Sequence, residues 1–91
     1  MKVRQLKNTM FKKGFKFSKE IETKKGYLFK VSDDDVTFYE VFKKKVSKSY
    51  NWKTNDYNDY KIELYPTDKA FGSWAWSYKN IDSACKRLRE L

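Results

Sequence analysis

Large residues recur at every second position in three stretches of this chain: Tyr27, Phe29 and Val31; Tyr60, Ile62 and Leu64; Trp74, Trp76 and Tyr78. A period of two belongs to the β-strand, whose side chains alternate between faces, and does not fit one stripe of a helix. Sheet is therefore the framework to expect. The chain is 40% hydrophobic, and aromatic rings supply nearly half of that at 19% of all residues. Rings bury much area each, so a core is attainable despite 36% charged residues. At 91 residues two separate cores would each be too small, and a single domain over residues 1–91 is expected.

Turn residues divide the chain. Val3, Leu6 and Met10 fall at helical spacing before Gly14, which predicts a short N-terminal helix over residues 3 to 13. Phe15 and Phe17 begin an extended segment that ends in a turn at Lys24-Lys25-Gly26. Residues 27 to 31 read as a strand, Ser32 to Asp35 as a turn, and residues 36 to 46 as the second arm of a hairpin. Residues 47 to 58 show no apolar period and read as a surface loop carrying Tyr50, Trp52 and Tyr57. Residues 60 to 64 alternate as a half-buried strand, Pro66 turns the chain, and residues 71 to 78 return as its antiparallel neighbour.

Asn80 is placed to cap a helix in which Ile81, Ala84, Cys85, Leu88 and Leu91 share a stripe. Small Ala84 and Cys85 opposite Trp74 and Trp76 make the large-against-small match of a dense interior, which assigns the tryptophan face to the core. The alternative for that face is an open base-stacking platform. The predicted fold is α+β, an antiparallel sheet of three to five strands packed on the C-terminal helix, with the short N-terminal helix beside it.

Catalytic inventory is thin. The chain has no histidine, one cysteine and three scattered glycines, so an imidazole base, an internal disulfide and a glycine-rich phosphate loop are all excluded. Cys85 lies on the apolar stripe and reads as a small hydrophobe. Asp33, Asp34 and Asp35 lack the spaced oxygens and glycine of a cation loop. The expectation is binding without catalysis, with no metal and no cofactor. No apolar run is long enough to span a bilayer and no secretory signal is visible, which predicts a cytoplasmic protein with no membrane partner.

Charge points to the partner. The chain carries 21 Lys+Arg against 12 Asp+Glu, a net +9, and up to Val31 only Glu20 and Glu22 oppose the cations. Only Arg4, Arg87 and Arg89 among the basic residues are arginine. Lysine suits unspecific attraction to phosphate more than bidentate base reading. The rings exceed what one small core needs, and those beside lysines, Tyr27, Tyr39, Tyr50, Trp52 and Tyr57, are expected at the surface. Cations interleaved with exposed rings suit a single strand of nucleic acid, bound without sequence preference. In that reading Lys12, Lys13, Lys16, Lys24, Lys25, Lys43, Lys44, Lys45 and Lys48 contact phosphates, while Tyr27, Tyr50 and Trp52 stack on bases. The alternative is a protein-binding inhibitor or adaptor that docks on an acidic protein surface, with Tyr50, Trp52 and Tyr57 as its hot spot.

Two resemblances bear on this. Lys25-Gly26-Tyr27-Leu28-Phe29-Lys30-Val31 looks like the aromatic strand core of RNA-recognition and cold-shock domains. Leu28 stands where those families have a small residue, and the lead-in and terminal helix do not fit either fold, so what it implies is an analogous surface. From Tyr39 to Leu91 the chain resembles a group of small proteins of phages and mobile elements without an established activity. The residues that carry this are Tyr39-Glu40-Val41-Phe42, Tyr65-Pro66-Thr67-Asp68, Phe71-Gly72, Trp74-Ala75-Trp76, Tyr78 and Ala84. That resemblance implies an accessory protein that handles nucleic acid or inhibits a host protein such as a defence nuclease.

Overall fold

The computed structural model of the chain describes residues 2–91. Its N-terminal segment departs from the helix expected over residues 3 to 13: Lys2–Arg4 forms strand β1 and Thr9–Lys12 forms strand β2. Leu6 and Met10 reach the aromatic core from an extended chain, so their helical spacing is fortuitous. Lys13 and Gly14 both have left-handed backbone, with φ of 51° and 82°. Two successive residues of that kind make the tight turn that matches strand twist. Gly14 therefore closes a hairpin between β2 and β3 (Phe15–Glu22), with Lys12 opposite Phe15.

From β3 the chain runs on as a meander through β4 (Gly26–Ser32) and β5 (Thr37–Lys43). The β3–β4 turn is fastened by Thr23, whose Oγ1 accepts from the amides of Lys25 at 3.2 Å and Gly26 at 3.1 Å. The predicted β4–β5 hairpin is present, with Ser32 opposite Thr37 and Tyr27 opposite Phe42. Asp33 shapes its turn, Oδ1 accepting from Asp35 N at 2.8 Å and Val36 N at 2.7 Å, the local bonding that favours Asp in turns.

The segment expected as a surface loop, residues 47 to 58, is largely strand. Strands β6 (Val46–Asn51) and β7 (Asp56–Glu63) form a hairpin, and β1 lies parallel to β7 on its other side. Ser, Asn, Lys and Asp populate both faces of this ribbon, so no apolar alternation reports it. The last strand, β8 (Ala75–Tyr78), pairs with β5 and not with residues 60 to 64. The result is an antiparallel five-stranded sheet, β2-β3-β4-β5-β8, and a three-stranded sheet, β1-β7-β6. The latter is an arm whose hairpin leaves the body between β5 and β8.

Helix α1 (Ile81–Arg89) covers one face of the five-stranded sheet. Asn80 caps it as predicted, its Oδ1 accepting from Asp82 N at 2.7 Å. Ala84 and Leu88 bury against Leu28 and Val41, with Tyr39, Tyr78, Cys85 and Leu91 at the margin. Gly26 permits this closure, since a Cβ there would stand 2.5 Å from both Leu91 Cδ1 and the Phe42 carbonyl oxygen. On the opposite face Tyr27, Phe29, Phe42 and Ala75 form a second cluster. Tyr65, Phe71, Trp74 and the 3-10 turn Asp68–Ala70 cover it. No helix among the described residues is long and apolar enough to cross a membrane.

The tryptophan face is not the core expected. Gly72, with φ of 88°, turns the chain just before β8 and breaks the alternation. Trp74 therefore packs against Phe42 on the face away from the helix. Trp76 stands on the helix face, beneath the Arg87 guanidinium at 4.7 Å from the ring centre. Both tryptophans are half-buried, and the wholly buried member of the strand is Ala75. Tyr27 is a second correction: β4 is a central strand covered on both faces, so this ring is buried and cannot stack on a base. The same holds for Phe29, which removes the surface analogous to an RNA-recognition strand.

Candidate functional site

The most exposed ring in the chain with a structured surround is Trp52, 85% accessible at the tip of the β6–β7 arm. Tyr50 meets it edge-on, with centroids 4.8 Å apart, and meets Tyr57 the same way at 5.2 Å. Tyr57 is itself 58% exposed. The turn that presents these rings is held by local bonds. Lys53 N donates to Asn51 Oδ1 at 2.9 Å, the Tyr50 hydroxyl donates to Asn55 Oδ1, and Asn55 takes the left-handed backbone that Asn tolerates, with φ of 56°.

Cations accompany the rings. Lys48 Nζ lies 5.4 Å from the Tyr57 ring centre. Lys48 and Lys61 are directly opposite one another across the arm, on the face that carries Tyr50 and Tyr57. A like-charge pair in that position lowers stability. Asp59 shares this face two residues along, but none of the ion pairs among the described residues includes Lys48 or Lys61.

The root of the arm is pinned at Glu63. Its Oε1 accepts the Tyr27 hydroxyl from the body and the Leu6 amide, at 3.0 Å, from the N-terminal segment. Leu64 N donates to the Lys45 carbonyl at 2.8 Å beside it. Burial and the neighbouring Glu63 carboxylate push the Tyr27 phenol well above its ordinary value.

The nine lysines expected to bind phosphate are not gathered in one patch. Lys16 stands opposite Ser32, whereas Glu22 stands opposite Tyr27, so Lys12, Lys13 and Lys16 mark one end of the five-stranded sheet. Lys24, Lys25 and Lys43 mark the other end, where Lys43 pairs with Gly26. Several are already engaged. Lys44 Nζ is 2.7 Å from Glu22 Oε2, and this bond holds the Glu22 carboxyl below its usual range. Lys45 lies over Trp74 at 5.4 Å and Lys12 over Tyr65 at 4.3 Å. Only Lys48 joins Tyr50 and Trp52 on the arm.

A buried carboxylate escaped the sequence reading. Glu40 is 8% exposed on β5, on the face that carries Phe42. Its Oε1 accepts the Tyr65 hydroxyl at 2.7 Å. It borders a cavity of about 320 Å³ shared with Lys12, Phe17, Tyr65 and Phe71. Burial raises the Glu40 carboxyl, against the opposing effects of the Tyr65 hydrogen bond and the Lys12 charge. Burial likewise raises the Tyr65 phenol, reinforced by the charge on Glu40. Its position between Tyr39 and Val41 in a strand was legible, but which face it takes depends on register with β4.

Comparison of the chain with protein families, with curated protein sequences and with solved structures finds no match. Function must be argued from the site. An exposed aromatic tip, fixed by its own turn and flanked by lysines, offers flat apolar surface beside positive charge. That combination is chemically suited to stacking and to attraction of anions.

Proposed function

We propose that this protein binds single-stranded nucleic acid without catalysis, using the β6–β7 arm as its stacking element. The observation that carries the reading is Trp52, held at the arm tip with its ring open to solvent. Base stacking on such a ring is tolerant of sequence, which suits a chain whose cations are nearly all lysine. The Lys48–Lys61 pair supports it further, because a bound phosphate between them would offset their repulsion. An accessory role in a phage or mobile element, in the cytoplasm of its host, is consistent with that chemistry and belongs to the same proposal.

Titration with an oligothymidylate tests this. Intrinsic tryptophan emission should be quenched in the parent and much less so in Trp52→Ala, since Trp74 and Trp76 are half-buried. Affinity should fall by about 1 to 3 kcal/mol per stacked base in that variant. Loss of affinity for one purified protein, with no effect on oligonucleotide binding, would instead establish the arm as a protein-docking hot spot.

A further inference from the structure

Between the root of the arm and strand β2 runs a groove of about 620 Å³, lined among others by Arg4, Lys7, Phe11, Lys12, Ile62 and Glu63. Three of these are cations that enter none of the ion pairs among the described residues, although Lys12 also reaches over the Tyr65 ring at 4.3 Å on the Glu40 side. The single carboxylate, Glu63, already accepts two hydrogen bonds through Oε1. Arg4 lies over the Tyr60 ring at 4.0 Å, which holds its guanidinium in place and leaves the N–H donors around its edge for a ligand. Phe11, on an edge strand, is 76% exposed.

We propose that this groove is a second nucleic-acid contact, in which Arg4, Lys7 and Lys12 neutralise phosphates of a single strand and Phe11 stacks on one of its bases. The inference rests on the nucleic-acid reading of the arm and extends it to a bipartite site. Cations alone would fit any polyanion; the exposed ring at the groove's edge, projecting from the face of β2 opposite to Lys12, is what selects nucleic acid over an acidic peptide. Seven residue steps separate Asp56 from Glu63 along β7, about 23 Å at strand spacing. Tip and groove are thus close enough for one short oligonucleotide to reach both.

The test measures anisotropy of a labelled oligothymidylate of about 15 nucleotides, a length on the scale of single-strand binding sites, bound to the full chain between about 50 and 200 mM salt. Replacing Arg4, Lys7 and Lys12 together by Gln should flatten the log affinity against log salt slope by about 2. Replacing Lys79, Lys86 and Arg89 by Gln removes equal charge from the helix side and should flatten it far less. Phe11→Ala should weaken binding about 5- to 150-fold and leave the slope unchanged. Lys7→Gln alone, at an exposed residue, should flatten the slope by about 0.7 and guards against misfolding of the triple variant. Equal flattening by both triple variants would overturn the groove in favour of diffuse attraction. An unchanged slope in the groove variants, with binding still weakened by Trp52→Ala, would overturn the groove and spare the arm. A parent that binds no oligonucleotide at low salt would overturn both.

Discussion

The Tyr27 hydroxyl, on a ring buried in the body, donates to Glu63 at the root of the arm. Because Glu63 also accepts from Leu6, one carboxylate joins the body, the arm and the N-terminal segment. The arm is thereby anchored at its base.

Removing the hydroxyl should loosen that joint. Tyr27→Phe keeps the buried ring and loses one hydrogen bond to a charged group, a cost of about 1.5 to 3 kcal/mol. Hydrogen exchange should quicken first at β1 and β7 amides while β4 and β5 remain protected to the global limit. Uniform loss of protection in both sheets would show that Glu63 does not act as a local joint.

Alkaline pH should act through Tyr65. Its phenol ionises later in the folded chain than in the unfolded one, so its contribution is complete below the unfolded value of about 10 and is lost as pH rises from there. Each proton so linked gives a slope of about 1.4 kcal/mol per pH unit. Denaturation of Tyr65→Phe above pH ~10 should show a shallower decline than the parent, and parallel curves would contradict the burial of the hydroxyl.

Glu40 predicts an effect in the opposite range. Its carboxyl is raised by burial, so its contribution is complete below the unfolded value of about 4.3 and is lost as pH climbs through the folded value. Glu40→Gln retains an acceptor for Tyr65 and removes the buried charge. The variant should melt higher than the parent at pH ~7, with the difference closing near pH ~4. A lower melting point at neutral pH would mean that Lys12 compensates the carboxylate in full.

The helix contact can be graded against the tryptophans. Leu88 is buried in the helix-side cluster, and Leu88→Asp places an unpaired carboxylate there, so the domain should unfold or shed α1. Lys86→Glu, on the exposed side, should change stability by less than about 0.5 kcal/mol. Phe42→Ala should cost about 3 to 5 kcal/mol. Half-buried Trp76→Ala should cost less, and calorimetry giving the reverse order would contradict the placement of Trp76 at the margin.

Lys48 should trade stability for binding. Lys48→Gln ends its repulsion with Lys61, which should add about 0.2 to 1 kcal/mol of stability. The same change should flatten the salt slope of oligonucleotide binding by about 0.7. Replacing Lys43, Lys44 and Lys45 together should flatten it by less than the 2 units that three free cations would give, because Glu22 already holds Lys44. Chemical denaturation and anisotropy on the same samples check both signs.

The hairpin of β4 and β5 and the capped helix were legible because their signals are local: apolar alternation, an Asp-rich turn, Asn80 before a stripe. Of the arm, residues 60 to 63 were legible as strand from their alternation, but the rest was not, since a ribbon wet on both faces leaves no pattern to read in Ser47 to Asn58. Nor was the partner of β8. Pairing with β5 depends on a return across the whole arm, which no short window contains. For the site, exposure of Trp52 and Tyr57 followed from their polar neighbours, whereas Tyr27 looked alike and is buried because its strand is central. Arg4, Lys7 and Phe11 were overlooked because a helix over residues 3 to 13 would have scattered what two strands and a groove bring together.

The insertion of the arm between β5 and β8 has a kinetic consequence. Strands β2 to β5 are joined by short turns and can zip in sequence, so the slow event is the return of β8 and α1 to β5. The entropy of closing that loop rises by only about 0.6 kcal/mol for each doubling of its length. Lengthening or trimming the arm tip should therefore leave the folding rate of the body almost untouched, so the exposed aromatic tip is free to vary while the sheet beneath it folds as before.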